Sequence, residues 1–253
     1  MRFHGLDIPV DLMLKTGGGP DTFELISDQH IRNLSSQHPL TAGLAVLEIG
    51  CGIGRDAIPL IDILGPTGSY VGTDVIRESI EWCQQNISAR HGNFTFEWHD
   101  IADSLHNPAG SLQPDAVRLP AADQSIDLFF AQSVFTHMLP AQFGHFLGEA
   151  ERVLKPDGTV YATCFRVDDD ILATARRTNL TQFDLRFEHE HSPGCLVNEL
   201  DHLTGAVAYS DELLRTLVEQ ASLQFRGPVR LGAWSGHFAV PFDGQDVLVL
   251  GRR

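Results

Sequence analysis

The chain predicts an open, doubly wound α/β fold on a mostly parallel sheet, and three observations carry that expectation. Continuous apolar runs alternate with amphipathic stretches from Leu44 to Phe165, the rhythm of strand–helix–strand units with right-handed crossovers. The first run closes on Glu48-Ile49-Gly50-Cys51-Gly52-Ile53-Gly54, a glycine turn between a buried strand and a helix start. Later strand ends carry acids, Asp74 and Asp100, at the edge where an α/β sheet places its ligands.

Composition permits such a fold. A chain of 253 residues, 43% hydrophobic and 20% charged, can bury a substantial core without disulfides or metals. No repeat, low-complexity tract or membrane-length apolar run interrupts it, and Met1 to Asp7 has no signal-peptide core. Cys51, Cys83, Cys164 and Cys195 lack metal or redox spacing, which suits reduced thiols and a cytoplasmic location. A formal charge of −15 argues against a large nucleic-acid footprint. A single domain over residues 1–253 is expected.

In chain order, residues 1–42 form a helical preamble, with Thr22 to Ser35 in amphipathic register. It either caps a ligand pocket or packs on the sheet. The run from Leu44 to Ile49 is the first strand. The helix after Gly54 reaches Leu64, and Pro59 makes it bend or start late. Ser69 to Asp74 is the second strand, its acid twenty residues beyond Gly54. Ile76 to Ala89 reads as a helix and Asn93 to Trp98 as the third strand. Residues 102–119 carry turn signals at His106-Asn107-Pro108-Ala109-Gly110 and Gln113-Pro114-Asp115 and form a long loop, a length often tied to function. Ser125 to Ala131 is the fourth strand, followed by the stretch Gln132 to Pro140, a helix from Ala141 to Leu154 that ends at Lys155-Pro156-Asp157-Gly158, and a fifth strand from Thr159 to Phe165.

Between residues 166 and 209 the rhythm stops. Asp168-Asp169-Asp170 starts a short helix with its acids at the positive end of the dipole. His189 to Gly194 reads as irregular. Ser210-Asp211-Glu212 caps a helix to Ala221, and Leu223 to Leu231 with Gln245 to Leu250 form a closing strand pair. Trp98 reads as core or sheet edge. Trp234, between glycines, is the better candidate for touching an acceptor or lid.

The E-x-G-x-G-x-G spacing, with Asp74 and Asp100 behind it, resembles the motifs of class I S-adenosylmethionine-dependent methyltransferases. That resemblance covers nearly the whole chain and implies a Rossmann-like, doubly wound seven-stranded sheet, mostly parallel with an antiparallel last strand and helices on both faces. The stretches at 106–110, 133–138, 208–212, 232–236 and 244–246 are similar to one bacterial branch of that class. Glu48 stands where many members of the class have Asp.

The cofactor implied is S-adenosyl-L-methionine. The resemblance assigns Glu48, Gly50, Cys51, Gly52 and Gly54 to its methionine end, Asp74 and Val75 to the ribose, Asp100 and Ile101 to the adenine, and Ala131, Gln132 and Ser133 to the neighbourhood of the sulfonium. Methyl transfer needs alignment, exclusion of water and a destination for the acceptor's proton. His137, past the fourth strand, is the candidate general base, with a packing or capping role as the alternative. Asp168 could orient or replace it, or simply start a helix. His189, Glu190 and His191 do not make a metal site by default, because alternate residues share a face only on a strand and none is expected there.

The function expected is methyl transfer to a small-molecule or glycan acceptor, at a hydroxyl oxygen, with residues 166–209 as lid or acceptor insertion. The alternative is a non-catalytic module that senses S-adenosylmethionine or S-adenosylhomocysteine. An NAD-dependent reductase would need G-x-G-x-x-G and a Tyr-x-x-x-Lys relay, and the chain has neither.

Overall fold

The apolar runs at 45–49, 69–74 and 94–98 become parallel strands, and the glycine turn follows the first of them. The computed structural model describes residues 1–103, 105–181 and 183–253. Ser104, in the 102–119 loop, and Gln182, in the 166–209 insertion, lie outside the described residues. Two compact units divide the chain, Met1–Phe130 and Ala131–Arg253.

The first unit opens with an antiparallel pair, β1 (Arg2–Phe3) and β2 (Leu6–Asp7), then α1 (Val10–Leu14) and α2 (Phe23–Gln37). β3 (Ala45–Ile49), β4 (Ser69–Asp74) and β5 (Phe94–Trp98) follow, with α3 (Ala57–Leu64) after β3 and α4 (Arg77–Cys83) after β4. β6 (Ile126–Ala131) takes the other side of β3, giving the order β5-β4-β3-β6. Val46 and Leu47 are fully buried, as a strand covered on both faces requires. α3 starts late, placing Pro59 in its first turn, where a missing N–H costs no helical hydrogen bond. The helix expected to reach Ala89 instead changes to a π-helical turn over Gln84–Ser88.

In the second unit α5 (Pro140–Val153) leads into β7 (Leu154–Val167). The helix ends at Val153, close to the end expected at Lys155 to Gly158, and the strand expected from Thr159 starts earlier, at Leu154. α6 (Asp169–Thr178) is capped by Asp168, whose Oδ1 accepts from the Ile171 N–H at 2.9 Å, with Arg176 and Arg177 at its negative end. A three-stranded extension follows: β8 (His189–Ser192), β9 (Cys195–Val197) and β10 (Val207–Ser210), with β10 parallel to the end of β7. α7 (Asp211–Gln220), β11 (Leu223–Phe225) and β12 (Asp246–Arg252) complete the chain.

β12 is antiparallel to β7 and to β11, as the expected topology requires. The fold is the Rossmann-like α/β class, with β8–β10 added to the expected strands. The strand expected over Leu223 to Leu231 stops at Phe225. Gly227 and Pro228 interrupt it, because proline has no N–H for a ladder, and pairing resumes only as a bridge from Arg230 to Val247.

His189 to Ser192 is also a strand, against expectation. The turn at Pro193-Gly194, with Gly194 at φ 76°, folds it onto β9 and supplies the pairing its polar sequence does not advertise. A bulge between Glu190 and Ser192 disturbs the alternation that would put His189 and His191 on one face. Among the described residues no group of three or more His, Cys, Asp or Glu side chains could hold a metal ion. Among them, too, no helix is long and apolar enough to cross a membrane.

Trp234, expected to touch an acceptor or lid, packs against the 166–209 insertion. It is buried, packs edge-on against Phe165 and Phe187 at 5.1 and 5.6 Å, and belongs to the core formed by α6 and the extension. Its indole N–H donates to Asp246 Oδ2 at 2.7 Å. The Arg166 N–H reaches the same oxygen at 2.8 Å and the Gly232 N–H donates to Oδ1 at 2.7 Å. Asp246 is fully buried, so three donors depend on one carboxylate. Asp246→Asn is expected to cost about 2 kcal/mol, since its amide nitrogen must face a donor it cannot accept from. For a chain this size that lowers Tm by roughly 4–8 °C in a thermal melt; an unchanged Tm would show that the 232–236 turn is held by other contacts.

Candidate functional site

Three glycines make the turn after β3, with φ of 74°, 53° and 76° at Gly50, Gly52 and Gly54. At Gly52 a Cβ would lie 2.7 Å from Thr16 Cγ2, so only glycine lets the segment after α1 approach this closely. The turn's N–H groups are spent inside the protein. Gly50 and Cys51 donate to the Thr73 carbonyl at 2.8 and 3.1 Å, and Gly52 donates to Asp74 Oδ2 at 2.7 Å.

Glu48 is 2% exposed, and its carboxylate accepts a hydrogen bond from the Tyr70 hydroxyl. Burial, and then the charge of Asp56, push the Glu48 carboxyl well above the usual carboxylate range. Burial, and then Glu48, raise the Tyr70 phenol as well. The acid of the glycine motif is therefore part of a buried pair. Cys51, also fully buried, has its thiol pushed up by the same desolvation.

Asp74 has the more useful geometry. Each carboxylate oxygen accepts one backbone N–H, Oδ2 from Gly52 and Oδ1 from Ile76 at 2.8 Å. A carboxylate has about four lone-pair sites, so one per oxygen remains. Burial raises its pKa, opposed by the N–H groups of Ile76 and Gly52, by the charge of His106 and by the N–H of Val75. Val75, next in line, is half-buried and accepts from the Trp98 indole N–H at 3.0 Å. Trp98 closes β5, with the Arg77 guanidinium 4.5 Å from its ring centroid.

Past β5, Asp100 is held by its own loop. Asn107 Nδ2 donates to Oδ1 at 3.1 Å and the Ser111 hydroxyl to Oδ2 at 2.7 Å. The Ser111 and Asn107 hydrogen bonds hold its carboxyl below the ordinary value. Ile101 is buried and bridges to Leu112. The turn-rich stretch from His106 to Gly110 signals Asn107, whereas Ser111 has no signal beyond its place in the 102–119 loop.

The preamble grips the glycine turn from α2. The Ser27 hydroxyl donates to the Arg55 carbonyl at 2.9 Å, Arg55 Nη1 donates to the Thr16 carbonyl at 3.1 Å, and His30 Nδ1 lies 2.7 Å from Asp56 Oδ2. Burial works against the charged form of Asp56, but His30 and Arg55 together hold its carboxyl below the ordinary value.

In the second unit, Ala131 and Gln132 are buried, and Gln132 Nε2 has no hydrogen-bond partner among the described residues. Ser133 sits at φ 56°, the left-handed region that costs a side-chain-bearing residue roughly 1–3 kcal/mol. A ring of hydrogen bonds holds it there. Its N–H donates to Thr163 Oγ1 at 2.7 Å, the Thr163 hydroxyl donates to Gln245 Oε1 at 2.6 Å, and Gln245 Nε2 donates to Ser133 Oγ at 2.8 Å. Thr163 and Gln245 are contributions that sequence reasoning missed.

His137 is half-buried, with Nδ1 3.0 Å from the Thr204 carbonyl oxygen. A carbonyl accepts only, so Nδ1 carries the hydrogen and Nε2 the lone pair in the neutral ring. Tyr209 steadies this turn, its hydroxyl donating to the Phe135 carbonyl at 3.0 Å and also to that of Met138. Asp168 is the cap of α6, and its second oxygen lies 3.1 Å from Arg166 Nη2.

Comparison with known proteins identifies the family and the fold. A family model described as a methyltransferase domain matches residues 40–199. Phthiotriol/phenolphthiotriol dimycocerosates methyltransferase 1 of Mycobacterium ulcerans is 30% identical over 167 residues, covering 65% of this chain and 52% of that protein. The arsenite methyltransferase of Aquipseudomonas alcaligenes is 27% identical over 69% of this chain and 46% of its own length. The chain thus spans about half the length of these relatives. Among solved structures, an Aquifex aeolicus SAM-dependent methyltransferase aligns over 96% of this chain and 97% of its own, with TM-score 0.52 and 16% identity. The mitomycin 7-O-methyltransferase aligns over 93% and 55%, with TM-score 0.57 and 12% identity; both show the fold alone.

Proposed function

The chain belongs to the class I S-adenosylmethionine-dependent methyltransferases, and from that premise we propose that it methylates a hydroxyl oxygen on a small-molecule or glycan acceptor. The observation that carries the oxygen assignment is the hydrogen bond from His137 Nδ1 to the Thr204 carbonyl. It makes Nε2 the basic nitrogen of the neutral ring, the atom that would take a hydroxyl proton.

The residues of the first unit fit the cofactor. Asp74 has one accepting site left on each oxygen, which matches two ribose hydroxyls, and Asp100 supplies an acceptor for the adenine amino group. Gly50, Cys51, Gly52 and Gly54 keep the chain low where the methionine end would lie, with Glu48 and Tyr70 forming the floor beneath. When bound, S-adenosylmethionine supplies a methyl group on a sulfonium whose thioether is the leaving group.

The remaining work belongs to the chain. Asp74 fixes the ribose end, Val75 and Ile101 supply apolar contact, and Ala131 to Ser133 are held rigid by Thr163 and Gln245. His137 takes the acceptor proton on Nε2 as the new carbon–oxygen bond forms. Asp168 is given no proton to move, because one oxygen caps α6 and the other faces Arg166. Residues 1–42 act as a cap and residues 166–209 as the acceptor insertion, within a single domain working in the cytoplasm.

The relatives named for phthiotriol/phenolphthiotriol dimycocerosates, arsenite and demethylmenaquinone bracket a wide range of acceptors, so the family does not choose one. The test is transfer of labelled methyl from S-adenosylmethionine to a panel of glycosides and hydroxylated small molecules, with amines and thiols in parallel. Label on oxygen acceptors is the expected result. Label confined to nitrogen or sulfur acceptors would sink the oxygen assignment.

A further inference from the structure

The stretch His106-Asn107-Pro108-Ala109-Gly110 has a construction that cofactor motifs alone do not require. Asn107 ties the loop in several directions: its side chain reaches Asp100 Oδ1 and the Ile101 carbonyl, and its backbone pairs with Asp103 in both directions at 3.0 Å. Gly110 sits so near Ile101 that a Cβ would lie 2.3 Å from its carbonyl oxygen. Leu112 N–H donates to the Asp100 carbonyl and Ala102 N–H to the Leu112 carbonyl, both at 2.9 Å, closing the loop at its base. Asp103 then fixes the residue at the tip. Its Oδ1 accepts from the His106 N–H at 2.6 Å and the Leu105 N–H at 3.1 Å, and lies 3.3 Å from His106 Nδ1. With Nδ1 turned to Asp103, Nε2 lies on the side of the ring away from that carboxylate.

That loop leaves the sheet beside Asp74. The register sets Asp74 opposite Trp98, and the His99 N–H donates to the Asp74 carbonyl at 3.0 Å, two residues before the loop begins at Ile101. His106 and Asp74 each feel the other's charge. We propose that His106 is a cofactor-binding residue, its Nε2–H donating to a ribose hydroxyl oxygen whose own hydrogen goes to Asp74, so that affinity for the adenosyl moiety depends on the proton His106 carries.

The charged groups around the imidazole give the direction. Asp103, by its hydrogen bond, raises the proton affinity of His106 most, and Asp74 adds to it. Partial burial and Lys15, which pairs with Glu78 on α4, oppose it. Asp100, at the base of the same loop, accepts from Asn107 and Ser111. The protonated ring has a hydrogen on Nε2, whereas the neutral ring with Nδ1–H on Asp103 does not. Binding is therefore at full strength below the raised pKa of His106 and weakens as pH climbs through it.

This inference rests on the reading of Asp74 as the ribose acid. The test is calorimetry with S-adenosylhomocysteine from about pH 6 to about pH 8.5, on wild type, His106→Gln, Asp103→Asn and Asp74→Ala. Wild-type Kd is expected to rise with pH by roughly fivefold, the worth of one charge-assisted hydrogen bond in part exposed to water, and His106→Gln to be weak throughout and flat. Asp103→Asn keeps the loop's accepting oxygen but removes the charge, so its midpoint should move to lower pH. Equal pH profiles in wild type and His106→Gln, or an unmoved midpoint in Asp103→Asn, overturn the proposal. If Asp74→Ala binds like wild type while His106→Gln is weakened and flat, the ribose role of Asp74 fails and the His106 contact stands.

Discussion

Asp74→Ala is expected to weaken binding of S-adenosylhomocysteine by about tenfold to a hundredfold, because one or two charge-assisted hydrogen bonds at roughly 1.5–3 kcal/mol each disappear. The carboxylate also receives the N–H groups of Gly52 and Ile76, so alanine disturbs the glycine turn itself. Asp74→Asn keeps the shape and one accepting oxygen but loses the charge, and its amide nitrogen must face the N–H of Gly52 or Ile76. It should bind between wild type and alanine, and its Tm, measured beside that of alanine, reports how much of either loss comes from the glycine turn. The acid side of the pH profile offers a third check. Burial raises the Asp74 pKa, and the ionised form is the one that accepts from both ribose hydroxyls. Affinity is then present above that pKa and lost as pH falls through it, at a higher pH than an ordinary aspartate would show. Calorimetry giving wild-type affinity for both variants would mean that the ribose is held elsewhere.

The sequence made this acid legible because position and chemistry coincide: an apolar strand ends, an acid follows, and a glycine turn stands one strand away. Most of the strand–helix core was legible for the same reason, since periodicity and glycine placement act locally. What escaped reading depends on partners far along the chain. His189-Glu190-His191-Ser192 looks irregular alone and becomes a strand because Pro193-Gly194 turns it onto Cys195-Leu196-Val197. Trp234, flanked by glycines, was legible as a residue to touch an acceptor or the insertion, but its anchor was not: Asp246, twelve residues on, draws its indole into the core. Glu48 is the subtler case. Its charge placed it in the site, but the extra methylene carries the carboxylate to Tyr70, and no local pattern foretells a cross-strand pairing of that kind. The unusual backbone of Ser133 could not be read either, because the residues that hold it, Thr163 and Gln245, lie 30 and 112 residues away.

The second large effect concerns His137. With an acceptor found from the panel, His137→Ala is expected to lower kcat by about a hundredfold to ten-thousandfold, the usual worth of a positioned general base. Affinity for S-adenosylhomocysteine should stay within about twofold of wild type, since a residue that only moves the acceptor's proton adds nothing to cofactor binding. A packing role could also depress turnover, through loss of the tie to Thr204, and His137→Asn distinguishes the two. Its side-chain amide can still donate to the Thr204 carbonyl, in place of Nδ1, but it has no basic nitrogen to accept a proton. If proton removal is the function, asparagine is as slow as alanine. If the hydrogen bond to Thr204 is what matters, asparagine recovers most of the wild-type rate, and the histidine is then a strut between the 135–138 turn and the insertion. Turnover of the three proteins on one hydroxyl acceptor decides between a base and a strut, whatever that acceptor proves to be.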